Sequence, residues 1–256
     1  QCATSMEKEF ISRKREEETA MAKAEQLRSN LLRSMSHDLR TPLTSISGNA
    51  GVLLKDAGTL DEAHKHRIYS DIYDDSMWLI SLVENLLSIT RMEGGAVQLH
   101  METELLEEVI DEAMRHVNRR HENHSIHVTQ EGDYILACVD AQLIIQVITN
   151  LVDNAIKYTP DGSSITIKSY KDNGNAVIEV SDNGPGIPDE SKDRIFQMFY
   201  TTGHKSADGK RGMGLGLPLC RAILNAHKGT IEVLDNTPSG SIFRLTLPAE
   251  EVSFHE

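Results

Sequence analysis

Apolar residues in the first third of the chain recur at helical spacing, at Leu27, Leu31, Met35, Leu39, Leu43 and Ile46 and on to Ala50 and Leu53. They lie in a run from about residue 6 to 56 that opens in good helix formers, so one long helix is expected there. Asp56, Gly58 and Asp61 mark a turn. A second helix is expected over about residues 62–92, striped by Ile72, Leu79, Leu82, Leu86 and Ile89 and ended by Gly94 and Gly95. Two amphipathic helices joined by a short loop leave one apolar side uncovered. A second copy completing a four-helix bundle covers that side economically, which predicts a homodimer. The alternative is that the hairpin packs on the rest of its own chain.

After Gly95 the pattern changes to alternating strands and helices. Strands are expected at residues 126–129, 134–139, 164–170, 176–181, 230–234 and 241–247. Helices are expected at 105–120, Ala141–Tyr158 and 215–227. These elements suit a mixed sheet with helices on one face. The expected fold class is therefore a helical hairpin followed by a two-layer α/β sandwich. The best domain boundary lies at about residues 93–96. The polar, Gly-containing run 201–212, TTGHKSADGKRG, is expected to be a loop.

Composition narrows the function classes. Nothing in the 256 residues approaches the roughly 18 to 20 consecutive apolar residues needed to cross a bilayer, so this stretch is expected to fold in water. No basic-then-apolar leader is apparent. A net charge of −13, from 39 acids against 26 bases, repels phosphate backbones and argues against nucleic-acid binding. Cys2, Cys138 and Cys220 are scattered and form no CxxC pair, which suits a reducing compartment. His116, His121, His124 and His127 cluster in sequence, but their spacing fits no tetrahedral template, and they are expected to be solvated.

Four motifs carry candidate chemistry. In SHDLRTPL, residues 36–43, His37 lies about 200° around the helix from Met35 and points off the apolar stripe. Asp38 can accept from one ring nitrogen and leave the other as a nucleophile. Thr41 adds a hydroxyl one turn later, and Pro42 leaves a helical carbonyl unpaired. In NLVDNAIKYTP, residues 150–160, Asn150, Asn154, Lys157 and Tyr158 share one helix face, suited to a hydrated magnesium ion and polyphosphate oxygens. In SDNGPGIP, residues 181–188, Asp182 ends a strand and can accept from an exocyclic amine, while Gly184 and Gly186 let the backbone approach a flat base. In GKRGMGLGLPLC, residues 209–220, Gly212, Gly214 and Gly216 free N–H groups at a helix start to bind phosphate. Gly240 and Ser241 precede the last strand and can flank the base. Taken singly, these motifs read equally well as a surface histidine, a solvated helix face, a turn and a flexible loop.

In this order, and with IFQMFY at residues 195–200, the segments resemble the H, N, G1, F, G2 and G3 boxes of bacterial sensor histidine kinases over roughly residues 25–250. Within that family, SHDLRTPLTSISG, RMEGGAVQL and LPLCRAILNAHKGTI look most like the KdpD-type, potassium- and osmotically responsive subgroup. The resemblance implies a helical linker over 1–24, a dimerisation and histidine-phosphotransfer domain over 25–94, and a Bergerat-type (GHKL) ATP-binding domain over 95–256. It makes His37 the phosphoacceptor, Asp38 its base and Thr41 the residue positioning water for a phosphatase reaction. It places Asn154 on Mg2+ with Asn150, Lys157 and Tyr158 beside it, and gives Asp182 the adenine amine. Gly184, Gly186, Phe199 and Ser241 would border the nucleotide, with Arg211, Gly212, Gly214, Leu215 and Gly216 shaping the phosphate end. Lys205 and Lys210 join Arg211 as candidate partners of phosphate charge, against the plainer reading of solvated loop cations. ATP and Mg2+ are the implied cofactors, and a response regulator receiver domain the implied partner. The portion would be cytoplasmic, with the full-length protein in the bacterial inner membrane through upstream segments. Asp38 stands where many relatives carry Glu. Two rivals share part of the pattern: an ATPase of the gyrase, Hsp90 and MutL kind, and a scaffold that binds nucleotide without transferring phosphate.

Overall fold

The computed structural model describes residues 39–55, 60–93, 99–117, 123–202 and 214–250. The chain divides into two compact units, 1–81 and 82–256. The expected boundary at 93–96 falls largely on residues outside the described set.

The helical portion contains α1, described over residues 39–55, and α2, Glu62–Glu93. On α2 the expected stripe is the more enclosed one: Ile72, Leu79 and Leu86 are half-buried, and Leu82 and Ile89 are buried. A second apolar line, Tyr69, Tyr73, Met77, Ile80, Val83 and Leu87, advances in steps of three and four and stays exposed. Pro42 is buried near the start of the described part of α1, and Thr44 Oγ1 donates to the Arg40 carbonyl one turn back at 2.7 Å.

The remaining elements are β1 (Glu102–Leu105), α3 (Leu106–His116), β2 (Ser125–Gln130), β3 (Leu136–Val139) and α4 (Ala141–Tyr158). After them come β4 (Ser164–Asp172), β5 (Asn175–Asp182), the short α5 (Asp189–Lys192), α6 (Gly216–Ala226), β6 (Thr230–Asp235) and β7 (Ser241–Glu250). The strands form one sheet in the order β1-β3-β7-β5-β4-β2, with β6 also on β7. Only the β2–β4 pair is parallel. The β4–β5 hairpin closes on Asn173 and Gly174, both at positive φ, as a two-residue turn with right-handed twist requires. β7 pairs with β5 and β6 along its first part and with β3 through Ala249 and Glu250 alone.

Alternation along the strands sets the two faces of the sheet. Ile165 and Ile167 of β4, Ile178 and Val180 of β5, and Phe243, Leu245 and Leu247 of β7 are buried. They form a core with Val109, Ile110 and Ala113 of α3, Ile144, Val147, Ile148, Leu151 and Val152 of α4, and Leu219, Ile223 and Leu224 of α6. The other face is polar. There Glu179 accepts from Tyr170 Oη at 2.9 Å and from Arg244 Nε at 2.8 Å, and Arg244 also reaches Glu232 at 3.2 Å. The two-layer sandwich expected from the alternation is the observed fold. α4 has the expected ends, and the ends of the other elements differ from expectation by at most four residues. β1 and α5 were not expected, and β1 takes Leu105 from the predicted start of α3.

Candidate nucleotide site

The core alternation leads straight into the site. Ala176, Ile178, Val180 and Asp182 share one face of β5, and Ser241, Phe243, Leu245 and Leu247 share the matching face of β7. Asp182 and Ser241 are thus the polar last steps of two core-facing rows, where the sheet runs past its helical cover. A cavity of about 610 Å³ opens there, within the range of small-ligand sites.

At the sheet end of this cavity Asp182 is 8% exposed. Its Oδ1 accepts from Gly184 N at 2.8 Å and from Ser241 N at 3.4 Å. Among the described residues its Oδ2 has no partner. Burial pushes the carboxyl above its ordinary range, against the opposing pull of those two backbone bonds. The wall beside it is close-packed backbone. Gly240 has φ +114, and a Cβ there would sit 1.9 Å from the Asp182 carbonyl oxygen. Gly186 has φ +76 and faces the Gly240 carbonyl. Asn236 Nδ2 donates to the Asp182 carbonyl at 2.7 Å and holds the turn against the strand.

α4 forms the floor. Asp140 caps it, Oδ1 accepting from Leu143 N at 3.3 Å, and six apolar residues face the core. The opposite face brings Asn150, Asp153, Asn154, Lys157 and Tyr158 to the cavity. Asn150 Nδ2 is buried beside the weakly accepting Cys220 thiol and has no oxygen or nitrogen acceptor among the described residues, a donor that a ligand oxygen would satisfy better. Lys157 Nζ lies 5.4 Å from the centre of the Tyr158 ring, and burial raises the Tyr158 hydroxyl above its ordinary pKa. The helix ends at Thr159, ahead of Pro160, where Thr159 Oγ1 donates to the Ala155 carbonyl at 2.7 Å.

Over the two asparagines lies the start of α6. A Cβ on Gly216 would be 4.0 Å from Asn150 Cγ and from Asn154 Nδ2. Leu215 gives no side-chain cap, so the N–H groups of Gly216 and Leu217 have no helical acceptor, and Pro218 has none to offer. Uncapped N–H groups above two amides make an anion-binding arrangement. The flanking chain is closed by backbone contact. Phe199, at φ 63, donates its N–H to the Gly214 carbonyl at 2.8 Å, and a Cβ on Gly214 would come within 2.7 Å of Phe199 and Tyr200 backbone atoms.

Of the residues singled out in the sequence, Asn150, Asn154, Lys157, Tyr158, Asp182, Gly186, Gly214, Gly216 and Ser241 line the cavity. Gly184, Phe199 and Leu215 shape it from behind. Gly184 lets the chain pass Thr159, whose Cγ2 would be 2.6 Å from an added Cβ, and Leu215 is fully buried. Arg211, Gly212, Lys205 and Lys210 lie outside the described residues, as do His37 and Asp38. Thr41 is exposed on α1. Sequence reasoning missed Asp153, Ile187, Tyr200, Thr201 and Thr202, which also line the cavity. Tyr200 is held by Ser191 Oγ at 3.0 Å from its hydroxyl and by the Arg194 guanidinium 4.4 Å from its ring centre.

The histidine cluster needs one correction. His116 and His127 are exposed, but half-buried His124 sets Nε2 3.0 Å from Thr159 Oγ1, so it is a structural partner of the α4 end and not a solvated side chain. No metal-ligating group of three or more His, Cys, Asp or Glu occurs among the described residues. No helix among them is long and apolar enough to cross a membrane.

The His Kinase A phospho-acceptor domain family matches residues 27–95, and the family of histidine kinase-, DNA gyrase B- and HSP90-like ATPases matches residues 139–251. The sensor protein KdpD of Clostridium acetobutylicum is 42% identical over 250 residues, which is 98% of this chain and 28% of that protein. The chain thus spans under a third of that relative's length. Among solved structures, the Acinetobacter baumannii histidine kinase AdeS superposes with a TM-score of 0.67 at 27% identity, over 84% of this chain and 98% of that one. Histidine kinase ThkA, solved in complex with the response regulator TrrA, gives a TM-score of 0.68 at 26% identity, over 86% of this chain and 61% of that one. With a phospho-acceptor domain followed by an ATPase-family domain, together matching most of its length, the chain belongs to the sensor histidine kinases.

Proposed function

We propose that this chain is the catalytic core of a sensor histidine kinase that phosphorylates its own His37 from ATP. The supporting observation is the cavity in which the buried Asn150 amide lies under the uncapped start of α6, with the buried Asp182 carboxylate at the other end. Asp182 Oδ2 accepts from the adenine amine, Gly186 and Gly240 pass beside the base, and the Gly216 and Leu217 N–H groups take phosphate oxygens. Asn154, an amide facing the same space, is the residue for Mg2+, with Asn150, Lys157 and Tyr158 along the same row. Mg2+ neutralises polyphosphate charge when bound, and catalysis rests mainly on positioning.

In the transfer step a ring nitrogen of His37 attacks the γ-phosphorus. The new N–P bond forms as the bond to the β,γ-bridging oxygen breaks, ADP leaves, and Asp38 orients the ring through its other nitrogen. The phosphoryl group then passes to an aspartate of a separate receiver domain. Thr41 positions the water that, in the phosphatase reaction, attacks the phosphorus of the receiver's phosphoaspartate and releases inorganic phosphate and the free carboxylate. The ThkA–TrrA complex supports a response regulator as partner, and the KdpD relative supports a potassium or osmotic stimulus. The proposed parts are a linker over 1–24, a phosphotransfer domain over 25–94 and an ATP-binding domain over 95–256. Two copies pair through the exposed apolar line on α2, and the chain is a cytoplasmic portion of a protein held in the inner membrane by segments elsewhere.

Incubation with γ-labelled ATP tests this reading. Acid-labile, base-stable label on the wild type that is absent from His37→Gln is the expected result. ATP hydrolysis without label would overturn it in favour of an ATPase, and bound but unreacted nucleotide in favour of a scaffold.

A further inference from the structure

His227 lies outside the nucleotide cavity, is 2% exposed, and ends α6. Its Nδ1 is 2.8 Å from the Ile223 carbonyl oxygen, which can only accept, so Nδ1 carries the proton. Its Nε2 is 3.0 Å from the Asp140 backbone nitrogen, which can only donate, so Nε2 is the acceptor. Both bonds together define one neutral tautomer.

The far end of that second bond is a junction. Asp140 is 9% exposed and follows β3 directly. Its Oδ1 caps α4 through Leu143 N, and its Oδ2 accepts from His100 N at 3.1 Å, tying in the segment before β1. His227 therefore fixes the end of α6 to the start of α4 across 87 residues of sequence.

The two helices run antiparallel. The start of α6 lies over Asn150 and Asn154, and its end meets Asp140. Between these points the contact is apolar, through buried Val147, Leu219 and Ile223, with a long Cys220 thiol to Val147 carbonyl contact of 3.9 Å. Burial pushes that thiol up to about 12, so it remains a neutral packing group. Apolar burial is non-directional and resists sliding along the helix axis weakly. A directional bond at one end of a rigid rod sets the position of the other end, about 16 Å away along α6.

We infer that His227 is a positioning residue for the nucleotide cavity: through Asp140 it sets the axial register of α6 on α4, and so the spacing between the Gly216 and Leu217 N–H groups and the Asn150 and Asn154 amides. This rests on the nucleotide reading given above. The phosphate end tolerates little error, because N–H groups and amides must close on the same oxygens.

The test is titration of MgADP into the full chain by calorimetry, below the melting temperature of each variant. His227→Leu removes both bonds and keeps bulk, and is expected to weaken binding by about tenfold. His227→Gln can donate to Ile223 and accept from Asp140, and is expected to bind within about threefold of wild type. A folded Leu variant that binds like wild type overturns the inference, as do equal losses in both variants. The wild type supplies a second measurement should the Leu variant fail to fold. Its His227 ring nitrogens are expected to show the Nδ1-protonated neutral tautomer by NMR and to shift when MgADP is added, and the opposite tautomer or an unmoved ring overturns it. A wild type that does not bind MgADP at all overturns the nucleotide reading, and this inference with it.

Discussion

Gly240 shows what a single hydrogen atom in place of a methyl can decide. At φ +114, and with the Asp182 carbonyl oxygen 1.9 Å from any added Cβ, no side chain fits without moving β5. Gly240→Ala is expected to cost about 2–3 kcal/mol in denaturant unfolding and to weaken nucleotide binding by displacing Asp182. Asp182 itself carries the reverse trade. Its folded pKa is raised, so between the unfolded value and the folded one the native state holds the extra proton. Stability therefore falls as pH rises through that window, and above it the domain bears the burial penalty in full. Asp182→Asn keeps an acceptor for Gly184 and Ser241 without the charge. The ligand-free variant is expected to melt no lower than wild type at pH 7, with a flatter dependence at acid pH, while calorimetry shows nucleotide binding lost.

The start of α6 separates fold from function at the scale of an element. Gly216 has ordinary helical φ, and an added Cβ meets nothing nearer than the two asparagine side chains at 4.0 Å. Gly216→Ala is therefore expected to raise thermal stability by up to about 1 kcal/mol while weakening nucleotide binding, because the methyl takes the space above the amides. Gly214 is a different glycine, forced by φ +62 and backbone atoms at 2.7 Å. The sequence sets Gly214 just before and Gly216 just inside the expected helix at 215–227, but not which of them a side chain would obstruct, since that lies in what the rest of the fold brings against each. Legibility of the elements follows the same logic. α4 was readable to the residue because its apolar spacing, Asp140 cap and Pro160 stop all agree. β1, with sequence ETEL, was not, since four mostly polar residues carry no alternation and owe their extension to pairing with β3. Phe199 enters through the F-box resemblance, whereas the backbone turns Tyr200 to the cavity, which no spacing in the sequence reveals.

For the whole molecule, the exposed line on α2 and the polar outer face of the sheet are surfaces of opposite character. Ion pairs among Glu179, Arg244 and Glu232 keep the sheet face wetted and unsuited to stacking on another sheet. The line from Tyr69 to Leu87 is the apolar surface that a second copy would cover. Ile80→Glu, in the middle of that line, is expected to convert a dimer to a monomer in sedimentation, with the circular dichroism spectrum of the α/β domain retained.

The joint between β3 and β7 has a consequence of its own. The β1–β3 ribbon is attached to the rest of the sheet through two residue pairs, Leu136 with Glu250 and Ala137 with Ala249. Burial of Ile135, Ala137 and Val139 holds the ribbon down, so amide exchange is expected to set in at the short β3–β7 ladder ahead of the longer central ladders. The ribbon's far end is Val139, next to the Asp140 that caps α4. Strain or a partner pulling on the chain before β1 would thus act first on this seam, and fraying there would release the cap of the helix that carries the asparagine row.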